Sequence, residues 1–119
     1  MEKSLYHYKA HVTDVYDGDT CTVDIDLGLH LTVKGEKIRL HRINAPELKG
    51  NDKQNGIKAR DFLREQILGK DIWLETIKDK LEKYGRYLGE IHLEAKPGEF
   101  VNVNDLIVQK GFAVYKEYK

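Results

Sequence analysis

Apolar and polar residues alternate along the first part of the chain, which is the pattern of half-buried β-strands. Residues 20–27 alternate most clearly, because one face carries only apolar side chains, namely Cys21, Val23, Ile25 and Leu27. A looser alternation covers residues 8–15. Between these two segments, Asp17-Gly18-Asp19 predicts a tight hairpin turn, since Asp-Gly readily adopts the positive φ that such turns need.

Two more short strands are predicted before the middle of the chain, at residues 29–33 and 37–43. Gly35 lies between them and is expected to break the ladder. Pro46 lacks the N–H that a ladder requires, so residues 44–54 are predicted to form a loop. This part of the chain therefore predicts a meander of short antiparallel strands.

The second half of the chain begins with a predicted helix at residues 55–68. Its apolar residues are spaced by three and four positions, and Gly69 stands where helices commonly end. Residues 72–77 and 86–93 have strand character, and a charged connector at residues 78–84 joins them. With residues 29–33 and 37–43 counted together as the third strand of the meander, these two strands bring the expected number to five.

The C-terminal part predicts a turn at residues 96–99 and a short helix at residues 103–110, with Asn102 as its N-cap and Gly111 at its end. Residues 112–119 are expected to be irregular or to form a terminal strand. Five short antiparallel strands with a helix between the third and fourth are the arrangement of an OB-fold. We therefore expect a mainly β fold with α (α+β), a five-stranded OB-fold barrel with two to three helices.

The chain has 119 residues and a mass of 13.8 kDa, so a single domain over residues 1–119 is expected, with its core at about residues 8–114. No apolar run reaches the roughly 18 residues of a membrane-spanning helix, and no membrane partner is expected. No signal peptide is visible, which favours a cytoplasmic location, or secretion if the chain is a processed or trimmed form. The single cysteine, Cys21, excludes an internal disulfide and suits a reducing compartment. A monomer is expected.

Lysine and arginine together number 20, as do aspartate and glutamate, so the net charge is zero. The composition therefore lacks the basic excess that marks many nucleic-acid-binding proteins. The charge is mildly segregated, because residues 49–86 carry a net charge of +3. Composition alone does not indicate a function.

Three short motifs place charged side chains at predicted strand ends: Asp17-Gly18-Asp19-Thr20, Arg39-Leu40 with Asn44-Ala45-Pro46-Glu47, and Lys83-Tyr84-Gly85-Arg86. Loops at the ends of rigid strands commonly carry functional residues. Each motif alone also has a structural explanation, as a turn, a solvated strand face or a loop proline. The three motifs have to be interpreted together.

In order and spacing, the three motifs resemble the staphylococcal nuclease (thermonuclease) family. The similarity runs from about residue 10 to residue 113, and residues 101–113 also resemble the last helix of that family. The resemblance implies an OB-fold and a calcium-dependent phosphodiesterase. Such an enzyme acts on DNA and RNA with low sequence specificity, favours single strands, and cleaves the P–O5′ bond to leave 3′-phosphates.

The resemblance also implies catalytic roles for three residues. Arg39 and Arg86 would contact the scissile phosphate, and Glu47 would act on the attacking water. Two guanidinium groups suit a phosphate because each stays charged and donates paired hydrogen bonds. Whether Glu47 acts as a general base or only orients water stays open at this point.

The metal ligands implied by the resemblance are the Asp19 carboxylate, the backbone carbonyl of Ala45 and the side chain at position 44. This position holds Asn44, where the best-known member of the family has aspartate. An asparagine oxygen can coordinate Ca²⁺ but brings no charge, so we expect weaker calcium binding. Asp17 either compensates for the lost charge or only shapes the hairpin.

For substrate binding, the resemblance implies that Tyr84 packs against the bound nucleotide, with Lys83 beside it. A second tyrosine near the chain end has no unambiguous match, and Tyr115 and Tyr118 are the candidates. The expected partners are therefore DNA and RNA.

The alternative hypothesis is a catalytically weak or inactive OB-fold module that binds single-stranded nucleic acid. Glu47 separates the two hypotheses, because a module that only binds has no use for a carboxylate that repels phosphate. The sequence retains Asp19, Arg39, Glu47 and Arg86, which favours the enzyme.

Overall fold

The computed structural model describes residues 5–116, which form two α-helices and eight β-strands. The elements in chain order are β1 (His7–Asp17), β2 (Thr20–Gly28), β3 (Leu31–Leu40), β4 (Ile43–Asn44), a 3-10 turn (Gly50–Asp52), α1 (Lys53–Ile67), β5 (Asp71–Leu81), β6 (Tyr87–Lys96), β7 (Glu99–Asn102), α2 (Val103–Gln109) and β8 (Val114–Tyr115). Neither of these helices is long and apolar enough to cross a membrane.

Five strands form a closed ring in the order β3-β2-β1-β5-β6. The ring closes through a parallel pairing between the end of β3 and the start of β6, with Ile38 opposite Tyr87 and Leu40 opposite Gly89. The other pairings in the ring are antiparallel. The five-stranded OB-type barrel predicted from the sequence is confirmed, whereas the parallel closure was not predicted.

The core lies inside the barrel and beneath α1. The alternating face of β2 supplies Cys21, Val23 and Ile25, which are all buried. The helix α1 covers one end of the barrel with Ala59, Leu63 and Ile67, whose spacing of four positions places them on one helical face. Burial of these apolar side chains is the main force that holds the helix against the sheet.

The predicted break at Gly35 is wrong, because β3 continues through it. Gly35 adopts a φ of +72° in a bulge, where Val33 pairs with Ile25 and Glu36 pairs with Val23. The Asp24 carboxylate accepts a hydrogen bond from the Gly35 N–H at 3.0 Å, so the bulge costs the strand no unsatisfied donor.

The connector predicted at residues 78–84 is shorter than expected, because β5 extends to Leu81. Lys78 and Asp79 both have positive φ, and the pairing with β6 is interrupted between Thr76 and Leu81. The strand β7 was not predicted, and it pairs with β6 beyond the barrel. A short terminal strand, one of the two alternatives for the tail, is observed as β8.

Candidate active site

The turn between β1 and β2 places two carboxylates side by side at one end of the barrel. The Asp17 carboxylate accepts a hydrogen bond from the Asp19 N–H at 3.0 Å, which fixes the turn. A Cβ atom on Gly18 would lie 2.7 Å from the Cβ atoms of both Ala45 and Ala59. Only glycine therefore lets this turn pack so closely against the loop after β4 and against α1.

Asp19 connects this turn to the other two motifs. Its side chain is buried, and one carboxylate oxygen accepts a hydrogen bond from the Ala45 N–H at 2.8 Å and lies 3.3 Å from Nη2 of Arg39. The other oxygen accepts a hydrogen bond from the Thr20 hydroxyl at 3.2 Å. Asp19 is thus held in one orientation by neighbours from three segments of the chain.

Arg39 lies at the end of β3, between its pairing partners Thr20 on β2 and Leu88 on β6. The residue is only 8% exposed, and its Nη1 donates a hydrogen bond to the Leu40 carbonyl at 2.8 Å. Its Nη2 donates to the Asn44 side-chain oxygen at 3.3 Å. A guanidinium fixed in this way keeps its direction when a ligand arrives, which lowers the cost of binding an anion.

The segment after β3 is fixed by Arg42, which adopts a φ of +69°. Its guanidinium donates two hydrogen bonds to the buried Glu90 carboxylate, at 2.6 and 3.1 Å, and one to Asp105 at 3.0 Å. β4 then pairs with β8, with Asn44 opposite Val114. This network ties the loop that carries Asn44, Ala45 and Glu47 to the rest of the fold.

Glu47 is exposed at the end of that loop, and its backbone rests on α1. The contact is made at Gly56, where an added Cβ atom would lie 2.8 Å from the Glu47 carbonyl carbon and 3.0 Å from the Pro46 oxygen. The sequence pattern gave no reason to single out Gly56. Its role is steric, because it lets the helix approach the backbone of the loop.

The turn between β5 and β6 presents Arg86. The Glu82 carboxylate accepts hydrogen bonds from the backbone N–H groups of Tyr84 and Arg86, at 2.9 and 3.0 Å. It also accepts from Nε and Nη2 of Arg86, both at 3.0 Å, while Nη1 of Arg86 donates to the Thr20 hydroxyl at 3.3 Å. Glu82 was not predicted to be a site residue, although its carboxylate organises the whole turn.

Tyr84 extends from the same turn and is 70% exposed. The Lys83 ammonium lies 5.0 Å from the centre of the Tyr84 ring, and the Arg86 guanidinium lies 5.3 Å from it. Both separations are within cation–π range. The turn therefore offers an exposed aromatic ring with two cations close to it.

These residues line one cleft of about 690 Å³ at the end of the barrel. The cleft brings together the predicted site residues Asp19, Arg39, Asn44, Ala45, Glu47, Lys83, Tyr84 and Arg86. Asp17, Glu82, Leu88 and Lys116 also line it. Lys116 was not predicted to be a site residue. It follows β8 directly, and this position places it at the cleft.

Tyr115 does not line the cleft. Its hydroxyl donates a hydrogen bond to Asp105 at 2.9 Å, and its ring lies 5.7 Å from the Arg42 guanidinium. The pairing of β4 with β8 places Tyr115 opposite Ile43 and directs it to that network. We therefore leave the candidate Tyr115 out of the proposed site, and the other candidate, Tyr118, lies outside the described residues.

The cleft combines cations with carboxylates in unequal surroundings. Burial and the neighbouring Asp19 carboxylate raise the pKa of Asp17 from 3.8 to about 6. By contrast, the hydrogen bonds from Arg86 lower the pKa of Glu82 to about 2. The negative charge of Asp17 is thus less well compensated than that of Glu82.

The donor atoms beside the turn suit a hard cation such as Ca²⁺. Asp19, Asn44 and Ala45 all offer oxygen atoms, and the poorly compensated charge of Asp17 favours a cation nearby. Within residues 5–116, no three side chains of His, Cys, Asp or Glu are grouped to hold a metal. An ion bound here therefore needs amide, carbonyl and water oxygens as well.

Comparison with known proteins identifies the family of this chain. The family model for "Staphylococcal nuclease homologue" matches residues 37–119, a segment that starts within β3 and includes Arg39, Glu47 and Arg86. The turn that holds Asp17 and Asp19 precedes the matched segment. A search of the curated proteins finds no match. Because the family model covers more than half of the chain, the protein belongs to the staphylococcal nuclease homologue family of nuclease and nucleic-acid-binding domains.

Proposed function

We propose that this protein is a calcium-dependent nuclease that hydrolyses phosphodiester bonds in DNA and RNA. The observation that carries the proposal is that two arginines, a pair of aspartates and a glutamate line one and the same cleft. A domain that only binds nucleic acid has no need of Glu47 in a cleft meant for phosphate. Family membership supports the same class of activity.

Arg39 and Arg86 would bind the scissile phosphate. Negative charge on the phosphate oxygens increases toward the transition state, so fixed cations stabilise that state more than the bound substrate. Both guanidiniums are already oriented, Arg39 by Leu40 and Asn44, and Arg86 by Glu82. Loss of one such donor typically lowers kcat by about 10²–10³-fold.

The calcium ion would be held by the Asp19 carboxylate, the Ala45 carbonyl and the Asn44 side-chain oxygen, with Asp17 nearby. When bound, calcium supplies Lewis-acid stabilisation to a phosphate oxygen. Asn44 contributes no charge, so we expect a lower calcium affinity than aspartate at this position would give.

Glu47 would orient or deprotonate the water that attacks phosphorus. Its exposure gives it access to solvent in the cleft, and its backbone contact with Gly56 fixes the loop that carries it. General-base help of this kind contributes about 10²–10⁴-fold in rate.

Tyr84 would stack on a base, with Lys83 near the backbone phosphate. A stacking face and phosphate contacts accept any base, so low sequence specificity follows, and unpaired bases are favoured because they can reach an aromatic ring. The direction of cleavage, leaving 3′-phosphates, is part of the proposal and rests on the family resemblance alone.

The proposal is tested by the release of acid-soluble nucleotides from denatured DNA, with calcium or with a chelator. Wild type is expected to release nucleotides only with calcium, and Glu47→Gln to lower the rate by about 10²–10⁴-fold. Glu65→Gln is the matched control, because Glu65 is an exposed residue of α1 that does not line the cleft. Equal losses in both variants would contradict the role of Glu47.

The second candidate is a module that binds single strands without cleaving them. Two observations favour it, the neutral Asn44 at a metal-ligand position and the engagement of Arg86 by Glu82. Folded wild type that binds denatured DNA and releases nothing at millimolar calcium would support this candidate. Asn44→Asp in the same assay then shows whether the missing charge is the cause.

A further inference from the structure

A second cavity, which we call the side pocket, lies next to the cleft. Its volume is about 450 Å³, within the range of about 300–1,000 Å³ typical of small-molecule sites. Asn44 and Ala45 line both cavities, so the loop after β4 forms a shared wall. The remaining walls are α1 on one side and residues 111–114 on the other.

One wall of the side pocket is polar. Asn55 and Lys58 are exposed and lie three residues apart on α1, so they share a helical face directed at the pocket. Lys58 provides a cation for a phosphate, and the Asn55 amide can both donate to and accept from the edge of a base. Asp52, three residues before Asn55, also lines the pocket.

The other wall is apolar and is formed by Pro46, Phe112 and Val114. Val114 is 62% exposed, a large apolar surface for a residue in a short strand. Phe112 is held in place because its ring stacks on Phe62, with 4.8 Å between the ring centres. The apolar wall suits the face of a base, the Asn55 amide suits the edge of a base, and the Lys58 ammonium suits a phosphate, so the pocket has a partner for each part of a nucleotide.

We propose that the side pocket binds the nucleotide adjacent to the one held in the cleft, on the same single-stranded DNA or RNA chain. This inference rests on the proposed function, because it assumes that the cleft holds one nucleotide of a DNA or RNA strand and assigns the next nucleotide to the side pocket. The shared wall at Asn44 and Ala45 makes the two cavities adjacent, so a continuous strand passes from Tyr84 and Arg86 over this loop to Lys58.

The test compares a nitrophenyl ester of a mononucleotide, whose one nucleoside fills the cleft alone, with a hexanucleotide as substrates for wild type, Lys58→Gln and Lys70→Gln. Lys70 is the matched control, because it is exposed, carries the same charge and lines neither cavity. Wild type is expected to have a higher kcat/KM for the hexanucleotide. Lys58→Gln is expected to reduce the ratio of the two kcat/KM values by about tenfold, through KM, and Lys70→Gln to leave it at the wild-type value.

The inference would be overturned if wild type had equal kcat/KM values for the two substrates, or if the two lysine variants had equal effects. Either result would leave the proposed nuclease function standing. If wild type cleaves neither substrate, the proposed function fails. The subsite is then tested by measuring the affinity for the hexanucleotide. Fluorescence anisotropy in the Glu47→Gln background is then expected to show tighter binding of the hexanucleotide, weakened about tenfold by adding Lys58→Gln. If adding Lys58→Gln leaves the affinity for the hexanucleotide unchanged, the side pocket is not a subsite.

Discussion

At the scale of single residues, Glu82 determines which part of Arg86 can meet a substrate. Its two oxygens occupy Nε and one hydrogen of Nη2, and Thr20 accepts from Nη1. Each Nη nitrogen carries one further N–H. The bidentate contact with Glu82 therefore leaves N–H groups on both Nη nitrogens that can donate to a phosphate in the cleft.

We predict that Glu82→Gln lowers kcat on single-stranded DNA by about tenfold without raising KM. Glutamine offers one acceptor oxygen instead of two, so Arg86 loses its fixed direction, whereas the loss of a nearby negative charge does not weaken attraction to phosphate. Steady-state kinetics of Glu82→Gln against the Glu65→Gln control measures the split between kcat and KM. An unchanged kcat would show that Glu82 does not position Arg86.

The contact between Glu82 and Arg86 also makes the stability of the fold depend on pH, because Glu82 binds a proton at low pH. Its pKa is lowered from 4.5 to about 2, so the carboxylate is ionised throughout the neutral range. A carboxylate with a depressed folded-state pKa adds stability above its ordinary value and loses it as the pH falls toward the folded value. The contribution is therefore complete above about pH 4.5 and lost between that pH and about pH 2.

The residues that the sequence identified are those whose chemistry is unusual at their position, such as Arg39 on a strand. Glu82 was missed because a glutamate in a charged connector has no distinctive pattern, and its role arises from the shape of the turn. Tyr115 was assigned to the site from its place near the chain end. Its neighbour Lys116 lines the cleft instead, because the direction of each side chain depends on a β4–β8 pairing that no local pattern encodes.

At the scale of elements, the position of Glu47 depends on how closely α1 approaches the preceding loop. Gly56 is the point of contact, and the atoms nearest to an added Cβ belong to the backbone of Pro46 and Glu47. Backbone atoms cannot move aside by a change of rotamer. A methyl group at this position therefore pushes the loop away from the helix.

We predict that Gly56→Ala lowers nuclease activity by about 10²-fold, because a displacement of about 1 Å at a reacting group has an effect of this size. Stability should change less, since the strain of about 1–3 kcal/mol is partly offset by the higher helix propensity of alanine, about 1 kcal/mol. Kinetics and thermal unfolding are measured on the same samples, with Glu65→Ala as the helix-surface control. Full activity in Gly56→Ala would mean that the loop tolerates the shift.

Helices and strands could be predicted from the sequence where one face of the element is buried and the other is exposed to solvent. The alternation in β2 and the helical spacing in α1 both reflect packing on a single face, and both elements were predicted. β7 was missed because four residues that extend the sheet beyond the barrel show no clear alternation. The parallel closure between Arg39 and Leu88 joins strands far apart in sequence, and only the packed barrel determines it.

At the scale of the whole molecule, the closed ring should make the barrel unfold as one unit. Cys21 reports on this, because it lies on β2 between Val15 of β1 and Ile38 of β3 and is 0% exposed. Burial raises the pKa of its thiol from 9.0 to about 12. The thiolate, which is the reactive form, is therefore suppressed in the folded state both by exclusion of solvent and by protonation.

We predict that a thiol reagent at pH 8 labels Cys21 only in proportion to the unfolded fraction. In increasing urea, the midpoint of labelling should coincide with that of circular dichroism, as expected for a cooperative transition. Because its folded pKa is raised, the thiol favours the folded state fully below pH 9.0 and loses that contribution as the pH rises toward about 12. Labelling without urea at the rate of an unfolded chain would mean instead that β2 opens locally, with β1 and β3 separating while the rest of the fold persists.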